Sequence, residues 1–176
     1  MLAAAAQLFT RQGINSTGMD QLSEVAAASK RTVYSHFRTK DDLVEAYLAE
    51  AEHLASPEHA LDRDDLPARE RLLAIFEPGP AHDQPIRGCA FVNAAVEIPD
   101  PATPARAFAR QHKVAFASRL TQTAREAGAR DPESLGEQLA LLYDGAATRS
   151  MVFDSTAPGV RARQIAAILI DAQLSG

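Results

Sequence analysis

Three features of this 176-residue sequence predict an all-α fold. Alanine, the strongest helix former, recurs throughout the chain, and no proline occurs before Pro57. Apolar residues recur at spacings of three and four, which is the period of an amphipathic helix. Sustained alternation of apolar and polar residues, which marks half-buried strands, is absent from the sequence. With 46% hydrophobic and 23% charged residues, the chain has the composition of a globular protein of one domain, or of a small domain joined to a larger one.

The composition also argues against several classes of protein. No apolar run approaches the ~20 residues that a membrane-spanning helix requires, so we expect no membrane partner. The opening residues lack the basic start of a secretory signal, which favours the cytoplasm. The single cysteine, Cys89, cannot form an internal disulfide or a multi-thiolate zinc site, and its simplest role is packing. We therefore expect a cytoplasmic protein without a bound metal or cofactor.

The first two helices are predicted from apolar spacing and from capping residues. Apolar side chains between Leu2 and Phe9 share one helical face, and Gly13 is placed to end that helix. Thr17 and Asp20 fit a capping box at the start of the second helix, whose apolar residues follow at helical spacing. The expected result is a short second helix after a tight turn.

A short third helix and a longer fourth helix follow. Ser29 is a favourable N-cap for the third helix, which directs Val33 and Phe37 inward. Thr39 and Asp42 form a second possible capping box and begin the fourth helix. The alanines before Ser29 make a tight turn, so the second and third helices are predicted to form a helix-turn-helix.

Proline and glycine divide the rest of the sequence into further helices. The predicted breaks are Ser56-Pro57, Pro78-Gly79-Pro80, Pro99 to Pro104, and Pro158-Gly159. Asp131-Pro132 has the pattern of an N-cap followed by proline at the first helical position. The helices between these signals are expected at about 67–77, 88–98, 104–128 and 132–153, followed by a last helix that carries Ile165, Ile168, Leu169 and Ala172.

The helix-turn-helix carries a local excess of positive charge. The whole chain has a net charge of −5, which argues against a general binder of polyanions. Residues 29–40, however, contain four basic side chains and no acid: Lys30, Arg31, Arg38 and Lys40. An α-helix fits the major groove of duplex DNA, where outward side chains reach base edges, while the preceding helix crosses the phosphate backbone. The pattern therefore predicts DNA binding by the third helix.

Two segments of the N-terminal region carry a more specific pattern, whose sharpest part is Tyr34-x-His36-Phe37-x-x-Lys40. The segment SKRTVYSHFRTKDDLVEAYL resembles the recognition helix and following turn of the TetR family of bacterial transcriptional regulators. The segment AAAAQLFTRQGINSTGMDQLSEVA resembles that family's first two helices, so that the resemblance covers residues 3–48. It implies an N-terminal three-helix DNA-binding domain over residues 1–46 and a C-terminal helical effector-binding and dimerisation domain over residues 47–176.

The resemblance also implies a role for each matching residue. The positions that would read bases in the major groove are Ser29, Lys30, Arg31 and Ser35. The positions that would contact phosphates are Thr17, Thr32, Tyr34, His36 and Lys40. Lys40 would also add its charge to the positive end of a helix dipole.

Three departures from the family pattern have physical consequences. Gly18 stands where the family usually has a threonine that caps the second helix and touches phosphate, so that contact is lost unless Thr17 supplies it. Ala27 stands where the turn usually has glycine, so the turn either avoids a positive φ or is strained. The basic residues that usually precede the first helix are not in this sequence, so we expect either a trimmed sequence or fewer phosphate contacts.

The C-terminal region contains candidates for two further sites. On the resemblance, the last two helices pair with those of a second subunit, through Leu135, Leu139, Leu142, Ala146, Ser150, Phe153, Ile165, Ile168, Leu169 and Ala172. The alternative is that these apolar stripes fill the core of the subunit itself. The middle helices would enclose a pocket for a small-molecule effector, with the candidates Phe76, Phe91, Asn93, Glu97, His112, Phe116 and Tyr143.

These predictions describe a DNA-binding transcriptional regulator and not an enzyme. We expect a ligand-responsive repressor that binds a palindromic operator in double-stranded DNA as a homodimer and is released by an unidentified small-molecule effector. Two alternatives stay open: a TetR-like activator without a small-molecule effector, and a helical adaptor whose basic patch meets a protein partner. Duplex affinity that falls steeply with rising salt would separate DNA binding from the adaptor.

Overall fold

The computed structural model describes residues 1–55, 57–77 and 85–175, and every regular element in these ranges is helical. The α-helices are α1 (Leu2–Gln12), α2 (Met19–Val25), α3 (Lys30–His36), α4 (Lys40–Ala55), α5 (Ala68–Ala74), α6 (Ala90–Glu97), α7 (Pro104–Glu126), α8 (Pro132–Phe153) and α9 (Ala157–Leu174). A 3-10 helix spans Pro57–Asp62. The prediction of an all-α fold is confirmed, while the predicted breaks at Ser56 and Pro78-Gly79-Pro80 lie outside the described residues. None of the described helices could cross a membrane.

Two predicted capping arrangements are confirmed by hydrogen bonds. At the start of α4, the Asp42 side chain accepts from the Thr39 backbone N–H at 3.0 Å, and the Thr39 hydroxyl accepts from the Asp42 N–H at 3.1 Å. At the start of α8, the Asp131 side chain accepts from the Ser134 N–H at 3.0 Å, with proline in the first turn. These bonds satisfy N–H groups that the first turn of a helix leaves without partners.

Two predicted helix boundaries are wrong, each for an identifiable reason. Thr17 does not cap α2, because Gly18 occupies the N-cap position and the Thr17 hydroxyl donates to the Gly13 carbonyl at 2.8 Å. Pro158-Gly159 does not break the last helix but lies in the first turn of α9. Proline is tolerated there because its missing N–H would have had no partner within the helix. The chain turns instead at Asp154, which has a φ of 47°.

The first compact unit contains residues 1–55 and 90–112 and is referred to as unit 1. Its buried apolar side chains come from each of the first four helices and include Leu8, Leu22, Val33, Val44 and Leu48. Phe9 of α1 meets Tyr47 of α4 edge to face, with ring centroids 5.1 Å apart. Since Val33 is the buried residue of α3, the other side chains of that helix are left to face outward.

The second compact unit, unit 2, contains the described residues among 57–89 and 113–175. Its core draws on α5, α7, α8 and α9, with Leu72, Leu120, Leu135, Leu139 and Ile170 fully buried. Backbones approach closely at Gly136 of α8, where an added Cβ would lie 2.2 Å from the Thr121 hydroxyl and 2.8 Å from the Thr121 backbone nitrogen. A close-packed interior cannot absorb such an overlap without moving a helix, so this position requires glycine.

Candidate nucleic-acid interface

The turn between α1 and α2 is closed by hydrogen bonds among its own residues. The Thr17 backbone N–H donates to the Ile14 carbonyl at 3.1 Å, and the Thr17 hydroxyl donates to the Gly13 carbonyl. The Gln12 side-chain amide donates to the Ser16 carbonyl at 2.8 Å. Thr17 is consequently only 2% exposed, with its hydroxyl already donating within the turn. This geometry does not favour the phosphate contact predicted for Thr17.

The turn between α2 and α3 places alanine where a helix end prefers glycine. Ala27 has a φ of 49°, in the left-handed region. Its N–H donates to the Glu24 carbonyl at 3.1 Å, and the Ala28 N–H donates to the Ser23 carbonyl at 3.0 Å, which are the paired bonds of a Schellman motif. Of the two possibilities that the sequence leaves open, the turn adopts the strained one, at a cost of about 1–2 kcal/mol for a left-handed residue with a Cβ.

Helix α3 begins at a capped end and presents hydroxyl and cationic side chains. As predicted, Ser29 is the N-cap, and its Oγ accepts from the Thr32 N–H at 3.1 Å. The Ser35 hydroxyl donates to the Thr32 carbonyl at 2.7 Å. The residues predicted to contact DNA from this helix and its cap are all exposed, and together they form what we call the α3 face: Ser29, Lys30, Arg31, Thr32, Tyr34, Ser35 and His36.

An acid from α2 holds one cation of the α3 face. The Lys30 Nζ lies 2.7 Å from the Asp20 Oδ2, and both side chains are 64% exposed. The hydrogen bond to Asp20 raises the pKa of Lys30. An exposed ion pair contributes little to stability, so its main consequence is to restrict where Lys30 points. Helical spacing assigns Asp20 only to a cap and gives no sign of this pair, because the pair depends on the angle between α2 and α3.

Lys40 begins α4 beside the α1–α2 turn. Its Nζ lies 3.4 Å from the carbonyl oxygen of Asn15. Burial lowers the pKa of Lys40, and the nearby Glu97 carboxylate acts in the opposite direction. The two lysines therefore differ in environment: Lys30 is exposed on the α3 face, whereas Lys40 is half-buried against the turn.

A recognition helix with an exposed cationic face, on a capped helix-turn-helix, defines a DNA-binding protein of the helix-turn-helix class. Residues 1–47 match the family described as bacterial regulatory proteins, tetR family. A TetR transcriptional regulator from Streptomyces avermitilis is 33% identical, with 98% of this chain and 94% of that chain covered and a TM-score of 0.82. The chain belongs to the TetR family, whose members are DNA-binding transcriptional regulators and not enzymes.

Two further solved structures are similar over nearly the whole chain. A TetR-family transcriptional regulator from Streptomyces coelicolor is 29% identical, with 99% of this chain and 94% of that chain covered and a TM-score of 0.86. NemR from Escherichia coli, in its reduced form, is 22% identical, with 94% and 92% covered and a TM-score of 0.81. The likeness to NemR shows the fold alone. No curated protein sequence matches this chain.

Four of the predicted effector residues lie in unit 1. Phe91 of α6 stacks on His112 of α7 with ring centroids 3.5 Å apart, and the His112 Nδ1 lies 2.9 Å from the Glu52 Oε1. Asn93 is half-buried on the same helix as Phe91. Glu97, in contrast, is bonded to the α1–α2 turn, so the structure separates its carboxylate from the role predicted for it.

The other three predicted effector residues form an aromatic cluster in unit 2. The Tyr143 ring lies 6.0 Å from the Phe76 ring and 5.3 Å from the Phe116 ring, measured between centroids. Both phenylalanines are buried in the core, and burial raises the pKa of Tyr143, which keeps its hydroxyl protonated. The structure therefore divides the predicted effector residues into two groups, one within each unit.

The outer surface of α8 and α9 exposes apolar side chains that the predicted dimer interface includes only in part. Three predicted interface residues are buried in the core of unit 2: Leu135, Leu139 and Ala146. The others are half-buried or exposed: Leu142, Ser150, Phe153, Ile165, Ile168, Leu169 and Ala172. The exposed apolar residues form what we call the α8–α9 face: Leu141, Val152, Phe153, Val160, Ile165 and Ile168. Periodicity detected the core stripe of α8 but gave no indication of the exposed residues Leu141 and Val152 on α8 and Val160 on α9, because these helices carry apolar residues on more than one side.

A groove of about 540 Å³ opens on the same side of unit 2. It shares Leu141, Phe153 and Ile165 with the α8–α9 face. The Arg149 guanidinium, which also lines it, lies 5.1 Å from the centre of the Phe153 ring. Four residues of the predicted dimer interface line this groove, Leu142, Ala146, Phe153 and Ile165, whereas none of the predicted effector residues does.

Proposed function

We propose that this protein is a ligand-responsive transcriptional repressor that acts in the cytoplasm and binds a palindromic operator as a homodimer. The observation that carries the proposal is the α3 face, where an entire helix is packed through Val33 alone and turns its polar side chains outward. Exposed cations on a helix that fits the major groove match the chemistry of base edges and phosphates.

In this proposal the first turn of α3 reads bases. Lys30 and Arg31 are exposed and donate hydrogen bonds, which suits the O6 and N7 acceptors of guanine in the major groove. Ser29 and Ser35 carry hydroxyls for shorter contacts with bases. Phosphate contacts come from Thr32, Tyr34, His36 and Lys40. The buried Thr17 is not part of this set.

The α8–α9 face is the proposed homodimer interface. Apolar side chains are exposed on both helices, and three of them, Leu141, Phe153 and Ile165, line one groove, which is the kind of surface that another protein covers. A twofold axis through this face gives an isologous dimer with two recognition helices. Palindromic half-sites require these helices about 34–36 Å apart, or a multiple of that distance.

The effector is proposed to act through the part of the chain that follows the helix-turn-helix. In this proposal residues 1–46 form the DNA-binding domain, and residues 47–176 form the effector-binding and dimerisation domain. The candidate contacts are Phe91, Asn93 and His112 in unit 1, and Phe76, Phe116 and Tyr143 in unit 2. Effector binding shifts α4 and changes the separation of the two recognition helices, with a coupling free energy of typically ~1–3 kcal/mol.

Selection of binding sites from a random duplex library tests the proposed function. We expect enrichment of a palindrome, a dimer by sedimentation, and a binding constant for the selected duplex whose logarithm falls linearly as the logarithm of the salt concentration rises. Failure to enrich any sequence, together with affinity that does not depend on salt, would contradict DNA binding and favour the protein-binding adaptor. If the protein raised the expression of a reporter gene placed behind the selected site, with no effector added, the TetR-like activator would be favoured.

A further inference from the structure

The last residue of α6 is bonded to the turn between α1 and α2. The Asn15 backbone N–H donates to the Glu97 Oε2 at 2.8 Å, and the Asn15 side-chain amide donates to the Glu97 backbone carbonyl at 2.7 Å. These two bonds join residues 82 positions apart in the sequence, both in unit 1. A hydrogen bond to an ionised carboxylate is among the stronger ones that a protein makes, so the contact is more than incidental packing.

The turn is shaped to receive the Glu97 carboxylate. Gly13 has a φ of 91°, and a Cβ added there would lie 3.0 Å from the Glu97 Oε2 and 3.1 Å from its Oε1. A side chain at this position would strain the backbone and crowd the carboxylate. Two residues of the turn, Gly13 and Asn15, are therefore fitted to one acidic side chain.

The same junction reaches a proposed phosphate contact. The Lys40 Nζ lies 3.4 Å from the carbonyl oxygen of Asn15, the residue whose N–H bonds to Glu97. Because the turn is closed by its own hydrogen bonds, a bond that holds Asn15 also holds the rest of the turn, up to the Gly18 N-cap of α2. In a helix-turn-helix the helix that precedes the recognition helix crosses the phosphate backbone, and here the α1–α2 turn leads directly into that helix, α2.

We propose that Glu97 is a positioning residue for DNA binding, which holds the α1–α2 turn and Lys40 in the arrangement that contacts phosphates. The inference rests on the proposed function and adds a residue that sequence reasoning assigned to the effector pocket. Glu97 acts through Asn15 and does not touch DNA itself. Since phosphate contacts carry no sequence information, Glu97 controls the affinity for every duplex alike and leaves base preference unchanged.

The test compares three variants on a fluorescein-labelled duplex of mixed sequence, by anisotropy over a series of salt concentrations. Glu97→Ala removes the acceptor, and we expect a Kd about 3–10-fold higher and a salt dependence less steep by up to about one unit, as for one lost phosphate contact. Glu97→Gln keeps an oxygen that can accept from the Asn15 N–H, so we expect its Kd and salt dependence to match those of the wild-type protein. Glu50→Ala is the matched control, because it removes the same charge from an exposed position of α4 in the same unit.

A structural measurement accompanies the binding measurement. Hydrogen exchange of the Asn15 amide is faster in Glu97→Ala and unchanged in Glu97→Gln, if the carboxylate holds the turn. Asn15→Ala is the second test if Glu97→Ala does not fold. It removes only the side-chain bond to the Glu97 carbonyl, and we expect it to raise the Kd as Glu97→Ala does.

Two outcomes would overturn the inference, and they are distinguishable from failure of the proposed function. A wild-type Kd and salt slope in Glu97→Ala, with wild-type protein that binds duplex normally, would sink this inference alone. A loss that Glu97→Gln does not restore would show that the charge of Glu97, and not its hydrogen bond, is what matters. Wild-type protein that binds no duplex at any salt concentration would remove the proposed function and this inference together.

Discussion

The α3 face and the α8–α9 face are both exposed in this chain, but they have opposite chemistry. The α3 face consists of cationic, hydroxyl and aromatic polar side chains, and water solvates them well. The α8–α9 face consists of aliphatic and aromatic side chains, with Ile168 69% exposed. Leaving apolar surface in water is unfavourable by about 25 cal/mol per Å². Exposed charge therefore suits the α3 face to the polyanion that we propose it binds, whereas uncovered apolar area suits the α8–α9 face to the second copy of the chain that we propose covers it.

The largest expected effect comes from placing a charge on the apolar face. In Ile168→Glu, a carboxylate would have to lose water at the proposed dimer interface, so we expect the dimer to dissociate. Each half-site is then bound independently, and the affinity for a palindromic duplex falls by about 100-fold or more. Sedimentation velocity reports the dissociation, and fluorescence anisotropy reports the affinity.

The control for this variant is Gln122→Glu, which adds the same charge at an exposed polar position of α7 in the same unit, outside the α8–α9 face. It should remain a dimer with wild-type affinity for the duplex. If Ile168→Glu also stayed a dimer, the α8–α9 face would not be the interface.

The next effect concerns base reading on the α3 face. Arg31→Ala should weaken the binding free energy for the preferred duplex by ~1–3 kcal/mol, because a base contact is lost. It should also relax the sequence preference at one base pair. Lys40→Ala should weaken all duplexes to a similar degree, because a phosphate contact is lost. Competition binding with single-base variants of the selected site measures both effects. If Arg31→Ala weakened binding to all duplexes equally, Arg31 would contact phosphates and would not read a base.

A smaller effect is expected where an acid faces the α3 cations. Asp20→Asn releases Lys30 from an exposed ion pair, which contributes little to stability, so the change acts mainly on the charge that the α3 face presents. We therefore expect affinity for a mixed-sequence duplex to rise by about 2–5-fold at low salt, with a smaller gain at high salt because charges are screened. Glu45→Gln, at an exposed position of α4, controls for the change in net charge. An equal gain in both variants would mean that the Asp20–Lys30 pair has no specific effect.

The smallest effect concerns the turn that supports the α3 face. Ala27→Gly removes the left-handed strain but adds freedom to the unfolded chain, so the free energy of unfolding should rise by about 0.5–1 kcal/mol. Ala26→Gly, one residue earlier with a φ of −78°, should lower it by about 0.5–1 kcal/mol, because its backbone is right-handed. Urea denaturation compares the two. The same sign for both variants would show that the strain at Ala27 is relieved elsewhere.

Interactions within a few residues explain which helix ends were predicted correctly. Ser29 caps α3 through Thr32, and Thr39 and Asp42 cap α4, each across three positions. A cap needs only the local backbone, so the order of residues contains the information. Thr17 failed as a cap because the neighbouring Gly18 can also occupy the N-cap position, and the Thr17 hydroxyl found a partner in the turn.

The sequence by itself determined the helical class, the helix-turn-helix, and the family to which the chain belongs, because these depend on periodicity, capping and a short motif. The tertiary structure decided which side of α8 is covered, since both sides carry apolar residues and only packing against α7 and α9 selects one. It also decided the partners of Glu97 and Asp20, whose bonds to Asn15 and Lys30 depend on the angles between helices. Such angles result from the burial of many side chains together, and no local pattern specifies them.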